Sequence, residues 1–244
     1  MDPIKAFEEE REKLIAEQGA NESIKNLATD FTTASMRSKY SYNFSWMGRP
    51  IIQYPQDMVA MQEIIMEVQP DIIVETGIAH GGSLIYYASV LELMGSPAYV
   101  LGVDIDIRDH NRQAVESHPM FKRIEMIQGS SIDDDIFAQV EKHVAGKKRV
   151  LVTLDSNHTH EHVLRELEMY SPLVTKGSYL VVFDTAVELA PDDLNDDRPW
   201  GVGDNPMTAV KEFLNGSDRF EIDETFNNKL LISMAPDGYL RCVR

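Results

Sequence analysis

Ile72-Ile73-Val74-Glu75-Thr76-Gly77-Ile78-Ala79-His80-Gly81-Gly82-Ser83 is the stretch from which the rest of the chain can be read. Its branched apolar residues predict a buried parallel strand with Glu75 at the carboxyl end. A glycine-bearing turn then leads into a helical pattern that begins near Ser83. In an open α/β sheet a ligand sits at such a turn, because glycine lets the backbone come close and the next helix offers free N–H groups. A plain strand-to-helix turn is the bland alternative.

Working outward, strands and helices alternate. Helical patterns are expected at 57–68, 83–93, 112–116, 132–144, 161–170 and 207–214, and strands at 99–104, 124–128, 150–155 and 179–184. This alternation predicts right-handed βαβ units and a doubly wound, mostly parallel sheet. Phe220–Ile222 and Leu230–Met234 are expected as strands joined around Asn227-Asn228, a connection too short for a crossover helix, so this pair should be antiparallel. Towards the amino terminus, Ile4, Phe7, Leu14 and Ile15 in a charged segment predict an amphipathic helix, resting on this chain or on a neighbouring subunit. Tyr40, Tyr42, Phe44, Trp46 and Met47 then precede Gly48-Arg49-Pro50 and Tyr54-Pro55, where the prolines exclude regular helix. Two readings stand: a lid over a ligand, or a loop glued down by its rings.

Composition excludes several partners. The 244 residues can form one large domain, and Lys+Arg 23 against Asp+Glu 40, net −17, argue against nucleic acid. The one cysteine, Cys242, fits a reducing compartment. There is neither a long apolar run nor a signal-peptide pattern, so a cytoplasmic protein without membrane insertion is expected.

In a doubly wound sheet the ligand lies beyond the carboxyl ends of the strands, and four expected strands end in Glu75, Asp104, Asp155 and Asp184. Asp104, one βαβ unit after Glu75, stands where a carboxylate accepts from ribose hydroxyls; a helix cap is the alternative. The turn lacks G-x-G-x-x-G spacing, and Glu75 directly before it would repel a pyrophosphate. An adenosine ligand with a positive centre and an amino group suits it better, which ranks S-adenosylmethionine above NAD.

The stretches Trp46–Pro55, Glu75–Ser83, Leu154–His160 and Gly177–Thr185 are matched by known sequences, extended by Arg198-Pro199-Trp200-Gly201, Asn205-Pro206 and Ala235–Tyr239. Through them the chain resembles the family of S-adenosylmethionine-dependent methyltransferases that includes the cephalosporin hydroxylase-type protein of cephamycin biosynthesis and the rhamnosyl O-methyltransferases. The resemblance implies a Rossmann-like class I methyltransferase fold, seven strands with an antiparallel C-terminal strand. It divides the chain into an N-terminal arm and aromatic lid, residues 1–55, and a methyltransferase domain, residues 56–244.

By the same resemblance Glu75, Gly77, Gly81, Gly82 and Ser83 would line the methionine part of the cofactor, with Asp104 at the ribose and Ser130 and Ser131 at the adenine. Gly129-Ser130-Ser131 could equally cap the helix that follows. His80 is expected either to touch cofactor or substrate or to stabilise the turn. Asp155 and Asp184, at neighbouring strand ends, can share Mg²⁺ and leave positions for substrate oxygens. His158 falls where related metal-dependent enzymes place a general base. Such relatives often carry two adjacent acids where this chain has Phe183-Asp184, so Thr185, water or substrate would complete the coordination. His158 and His162 at i and i+4 leave a softer metal such as zinc open, with His160 beside them; His110, His118 and His143 are expected to be solvated. The acidic run 192–197 is expected near the substrate entrance.

The resulting expectation is a Mg²⁺-assisted O-methyltransferase acting on a hydroxyl of a small sugar-containing or polyhydroxylated metabolite, and forming a homo-oligomer. The alternatives are an NAD-dependent oxidoreductase and a non-catalytic, cofactor-binding partner of a hydroxylase.

Overall fold

The computed structural model describes residues 2–191, 193–194 and 197–244. The apolar runs of the sequence become the strands β1 (Ile72–Thr76), β2 (Tyr99–Asp104), β3 (Ile124–Gln128), β4 (Val150–Leu154) and β5 (Tyr179–Val182). They are joined in parallel, and two short strands, β6 (Phe220–Ile222) and β7 (Tyr239–Cys242), complete a seven-stranded sheet of order β3-β2-β1-β4-β5-β7-β6. The strand order reverses between β1 and β4, so the carboxyl ends of these two strands flank the crevice where such sheets hold ligands.

The two-residue period of the strands sorts the core into two layers. Ile73, Val100, Leu151 and Val181 face one side, against Ile64 and Ile65 of α3 (Pro55–Val68) and Leu84 and Ile85 of α4 (Gly82–Leu93). Val74, Leu101, Val152 and Leu180 face the other, against Val140 of α6 (Asp134–Val144), Leu167 of α7 (His160–Tyr170) and Val210 of α8 (Pro206–Gly216). Local chemistry sets the helix ends. Pro55 opens α3, where its missing N–H costs nothing, and Gln69 closes that helix in the left-handed region. Asn205 and Thr208 form a reciprocal capping box on α8.

Two expectations are corrected. Leu230–Met234 is not a strand: Glu224–Leu230 forms helix α9, capped by Asp223, and the partner of β6 is β7, antiparallel to both β6 and β5. The apolar run is instead drawn around Asp57, which accepts from Ser233 Oγ (2.6 Å), Met234 N (2.9 Å) and Tyr239 Oη (2.7 Å). A short apolar run does not say which partner it will find. Second, Glu22–Arg37 is a helix, α2, which the sequence reading did not anticipate; α1 (Pro3–Gly19) precedes it. Among the described residues no helix is long and apolar enough to cross a membrane.

Candidate active site

The lid and the glycine turn are built against each other. Ser45–Trp46 and Arg49–Pro50 pair as a small antiparallel ribbon. From it Arg49 donates to the His80 carbonyl (2.9 Å from Nε) and to Asn111 Oδ1 (2.9 Å), while Asn111 Nδ2 donates to the Ala79 carbonyl (3.0 Å). A Cβ on Gly82 would overlap the Pro50 carbonyl, and one on Gly77, at φ 89°, the carbonyl of Asp155. Both glycines are thus required by backbone packing, one by the lid and one by the neighbouring strand end. Of the two readings of the aromatic segment, the glued-down loop is seen at Tyr40, which packs edge-on to Phe31, Phe44 and Tyr54; Tyr42, Ile52 and Tyr54 line a cavity.

Three contiguous cavities follow the strand ends. The first, about 350 Å³, runs between Ala79, Asp104, Ser131, Ser156 and His162. The second, about 180 Å³, lies under the lid between Gln53, Ser83, Gly77, Asp155 and His158. The third, about 310 Å³, opens beyond His158 and Asp184 between Tyr42, Tyr54, Arg198 and Trp200. Asp155 borders the first two, His158 and Asp184 the last two.

In the first cavity Asp104 is held by the turn: Oδ2 accepts from Ile78 N (2.7 Å) and Ala79 N (3.2 Å), and Oδ1 from Asp106 N (2.9 Å). Behind the second cavity, Glu75 is fully buried, with Oε2 accepting from Ser83 Oγ (2.7 Å) of the cavity wall and Oε1 without a close partner. Burial pushes its carboxyl up to about 8 against the pull of the Ser83 bond, and Asp104 adds repulsion. Thr76 Oγ1, Tyr87 Oη and both amide atoms of Gln53 are also buried without close partners. Tyr87 pulls the Glu75 carboxyl down and Gln53 acts on Tyr87, so these groups form one buried polar cluster that reaches the second cavity through Gln53.

At the junction of the second and third cavities, donor atoms of Asp155, His158 and Asp184 lie within 4.8 Å of one another. His158 Nε2 is 3.1 Å from Asp184 Oδ2, and its ring meets Trp200 edge-on at 4.8 Å. Asp184 sits in the left-handed region, φ 56°, two residues past β5. The Asp155 carboxyl is driven well above its ordinary range, first by burial, then by Asp184 and Glu75. Two carboxylates and an imidazole gathered this closely suit a divalent cation.

The three histidines of 158–162 diverge, because α7 starts only at His160 and the i, i+4 relation of His158 to His162 never forms. His160 meets Thr208 Oγ1 (2.8 Å) and Glu212 (3.2 Å), and His162 meets Ser131 and Ser156, which removes the basis for a three-histidine zinc site. Thr185 is fully buried and donates to the Pro236 carbonyl (2.6 Å), leaving water or substrate oxygens to complete a metal's coordination. His118 is not merely solvated: Nδ1 accepts from Met120 N and Nε2 reaches the Met47 carbonyl (3.1 Å). His143 meets Tyr99 Oη at 3.3 Å. Of the acidic run, Asp192, Asn195 and Asp196 lie outside the described residues; Asp193 pairs with Arg37, and Leu194 and Asp197 line the third cavity. His162, considered from the sequence as a metal ligand, lines the first cavity instead. Ser156 and Asn157 of that cavity and Gln53 of the second were not singled out from the sequence as site residues. Only their nearness to Asp155 and to the lid motif could have pointed to them.

A seven-stranded sheet of this order, with an antiparallel C-terminal strand, is the fold of the class I S-adenosylmethionine-dependent methyltransferases. The chain belongs to the family described as Rhamnosyl O-methyltransferase/CmcI, whose model matches residues 38–243. A rhamnosyl O-methyltransferase of Mycobacterium bovis is 32% identical over 206 residues, 80% of this chain and 77% of its own length. One from Mycobacterium leprae is 33% identical over 165 residues, 64% of this chain and 69% of its own. Among solved structures, CmcI with Mg and SAM superposes with a TM-score of 0.59 at 20% identity, covering 83% of this chain and 78% of that one. An O-methyltransferase from Bacillus cereus with SAH gives 0.54 at 16% identity, covering 82% of each. Membership in this family sets aside the oxidoreductase and non-catalytic alternatives.

Proposed function

We propose that the chain methylates a hydroxyl of a small sugar-bearing or polyhydroxylated acceptor, assisted by Mg²⁺. The observation that carries this reading is the meeting of Asp155, His158 and Asp184 where the covered second cavity opens into the third. The curated relatives' names point to a rhamnosyl acceptor, and the third cavity, with Tyr42 and Trp200 on its walls, has room for a sugar ring.

S-adenosylmethionine supplies the methyl group, and a divalent cation between Asp155 and Asp184 would supply Lewis acidity towards the acceptor hydroxyl. Asp104, with Ser130 and Ser131 further along, would hold the adenosine end. Ser83, Glu75 and the turn Gly77–Gly82, His80 included, would hold the amino-acid end, where the unpartnered Oε1 of Glu75 suits an ammonium. The His158 imidazole would take the acceptor proton, and Asp184, 3.1 Å from its Nε2, would orient the ring and stabilise the resulting imidazolium. The lid keeps water from the second cavity and fixes the approach of the acceptor oxygen, so positioning is the protein's largest contribution. Exposed Ile4, Phe7 and Leu14 on α1, which buries none of its own residues, suit contact with a second copy, and light scattering would test for the homo-oligomer.

The deciding experiment offers S-adenosylmethionine and a panel of rhamnosides and other glycosides, with Mg²⁺ or with chelator, and detects methylated product by mass spectrometry. Metal-dependent methylation of a sugar hydroxyl is expected. Methylation confined to acceptors without a sugar, or unchanged by chelator, would overturn the acceptor or the metal assignment respectively.

A further inference from the structure

Behind the first cavity lies a relay that the methyl-transfer chemistry does not use. Glu166 of α7 is fully buried. Its Oε1 accepts from Ser156 Oγ (2.7 Å), and its Oε2 has no partner. Ser156 Oγ and Ser131 Oγ each lie 3.2 Å from the same atom, Nε2 of His162, which is 3.6 Å from Glu166 Oε1. Ser131, Ser156 and His162 all line the cavity next to Asp104.

The direction of each hydrogen bond follows from the carboxylate. A carboxylate only accepts, so the single hydrogen of the Ser156 hydroxyl is committed to Glu166. The contact between Ser156 and His162 must then be made by a hydrogen on Nε2. With Nε2 donating, Ser131 Oγ meets it as an acceptor, and the hydrogen of Ser131 is left free to point into the cavity. Tyr170 Oη donates to the Ser131 carbonyl (3.0 Å) and holds its backbone in place. A carboxylate two side chains away thus leaves the Ser131 hydrogen without an acceptor among the described residues, and Ser131 is free to donate it into the cavity.

We infer that Glu166, acting through Ser156 and His162, sets Ser131 as a hydrogen-bond donor to the purine and thereby selects adenine over hypoxanthine. Adenine presents a bare N1, which takes the Ser131 hydrogen; hypoxanthine presents N1–H, which Ser131 could meet only with its remaining lone pair, leaving its own hydrogen without an acceptor. This rests on the cofactor reading above. Ser131 is the contacting residue, whereas Glu166, Ser156 and His162 are positioning residues.

The test is calorimetric binding of S-adenosylhomocysteine and of S-inosylhomocysteine, its deaminated form, to the whole chain. The wild type is expected to favour the adenine compound by roughly tenfold or more. Ser131→Ala should weaken it and abolish the preference. Glu166→Met, which removes a buried carboxylate with an orphan oxygen and so keeps the fold, frees the Ser156 hydrogen to turn towards Nε2; the preference should collapse while both ligands still bind. Glu166→Gln keeps an accepting oxygen and should retain it. Equal binding of the two ligands by the wild type, or a proportionate loss of both in Glu166→Met, would overturn the inference. Binding of neither would overturn it together with the cofactor reading.

Discussion

The two halves of the sheet edge are finished differently. At the ends of β1 and β2 the protein completes itself: Asp104 is held by three backbone amides, the lid ribbon is latched to the turn through Arg49 and Asn111, and Gly82 admits the lid backbone. At the ends of β4 and β5, Asp155, His158 and Asp184 face mainly one another. The first half is preorganised by local hydrogen bonds. The second is electrostatically incomplete and depends on what binds there. On the function proposed above, catalytic power would reside in the incomplete half, and precision of placement in the complete one.

The largest test of this contrast is metal removal. Chelation, or Asp155→Asn, is expected to lower kcat/KM by roughly 10³-fold, since Lewis-acid assistance contributes several kcal/mol, while S-adenosylhomocysteine binding measured by calorimetry changes little. Equal losses of binding and rate would erase the distinction between the halves. Next, His158→Ala should cost about a hundredfold in kcat, at the low end for a general base. An unchanged rate would remove His158 from the chemistry. On the preorganised side, Gly82→Ala must displace the Pro50 carbonyl and should destabilise the fold by about 1–3 kcal/mol in urea unfolding, raising KM for the cofactor as the lid shifts.

Glu75 is the place where the preorganised half is itself unfinished, and pH probes it. Its folded-state carboxyl is raised to about 8 from 4.5, so between these values the native state binds more protons than the unfolded chain. Stability of the ligand-free protein should therefore fall as pH rises through that window, by on the order of a few kcal/mol. Asp57, raised to about 6 by burial, adds in the same direction at the acidic end. Thermal melts of Glu75→Gln should be flatter across the window, and an unaltered slope would assign the effect elsewhere. The smallest effect is expected at His160, which meets Thr208 and Glu212 away from the cleft: His160→Gln should leave kcat/KM within about twofold.

Much of this was legible in the sequence. The apolar runs that became β1 to β5 are short, branched and closed by acids, and a residue at the end of a parallel strand can only face the ligand edge. The antiparallel end of the sheet was anticipated, but β7 was sought nine residues too early, because Leu230–Met234 is equally apolar and its real partner, Asp57, is remote in sequence. The helix α2 escaped although Ile24, Leu27 and Phe31 recur at helical spacing; in the fold these three are exposed, and the residues it buries are Ala28, Thr32 and Ser35. The fan of histidines was misread because its spacing presumes a helix that starts only at His160.

What the chain determined by itself is what depends on neighbours in sequence: strand periodicity, proline and glycine punctuation, and the order of acids along one sheet edge. Only the tertiary structure decided which polar groups are satisfied. Glu166 looks like any helical glutamate in the sequence, yet in the fold it lies beneath Ser156 with an oxygen unpaired. Gly82 reads as a cofactor glycine, yet it makes room for Pro50. Burial and hydrogen-bond partners are set by residues far apart in the chain, and no local pattern encodes them.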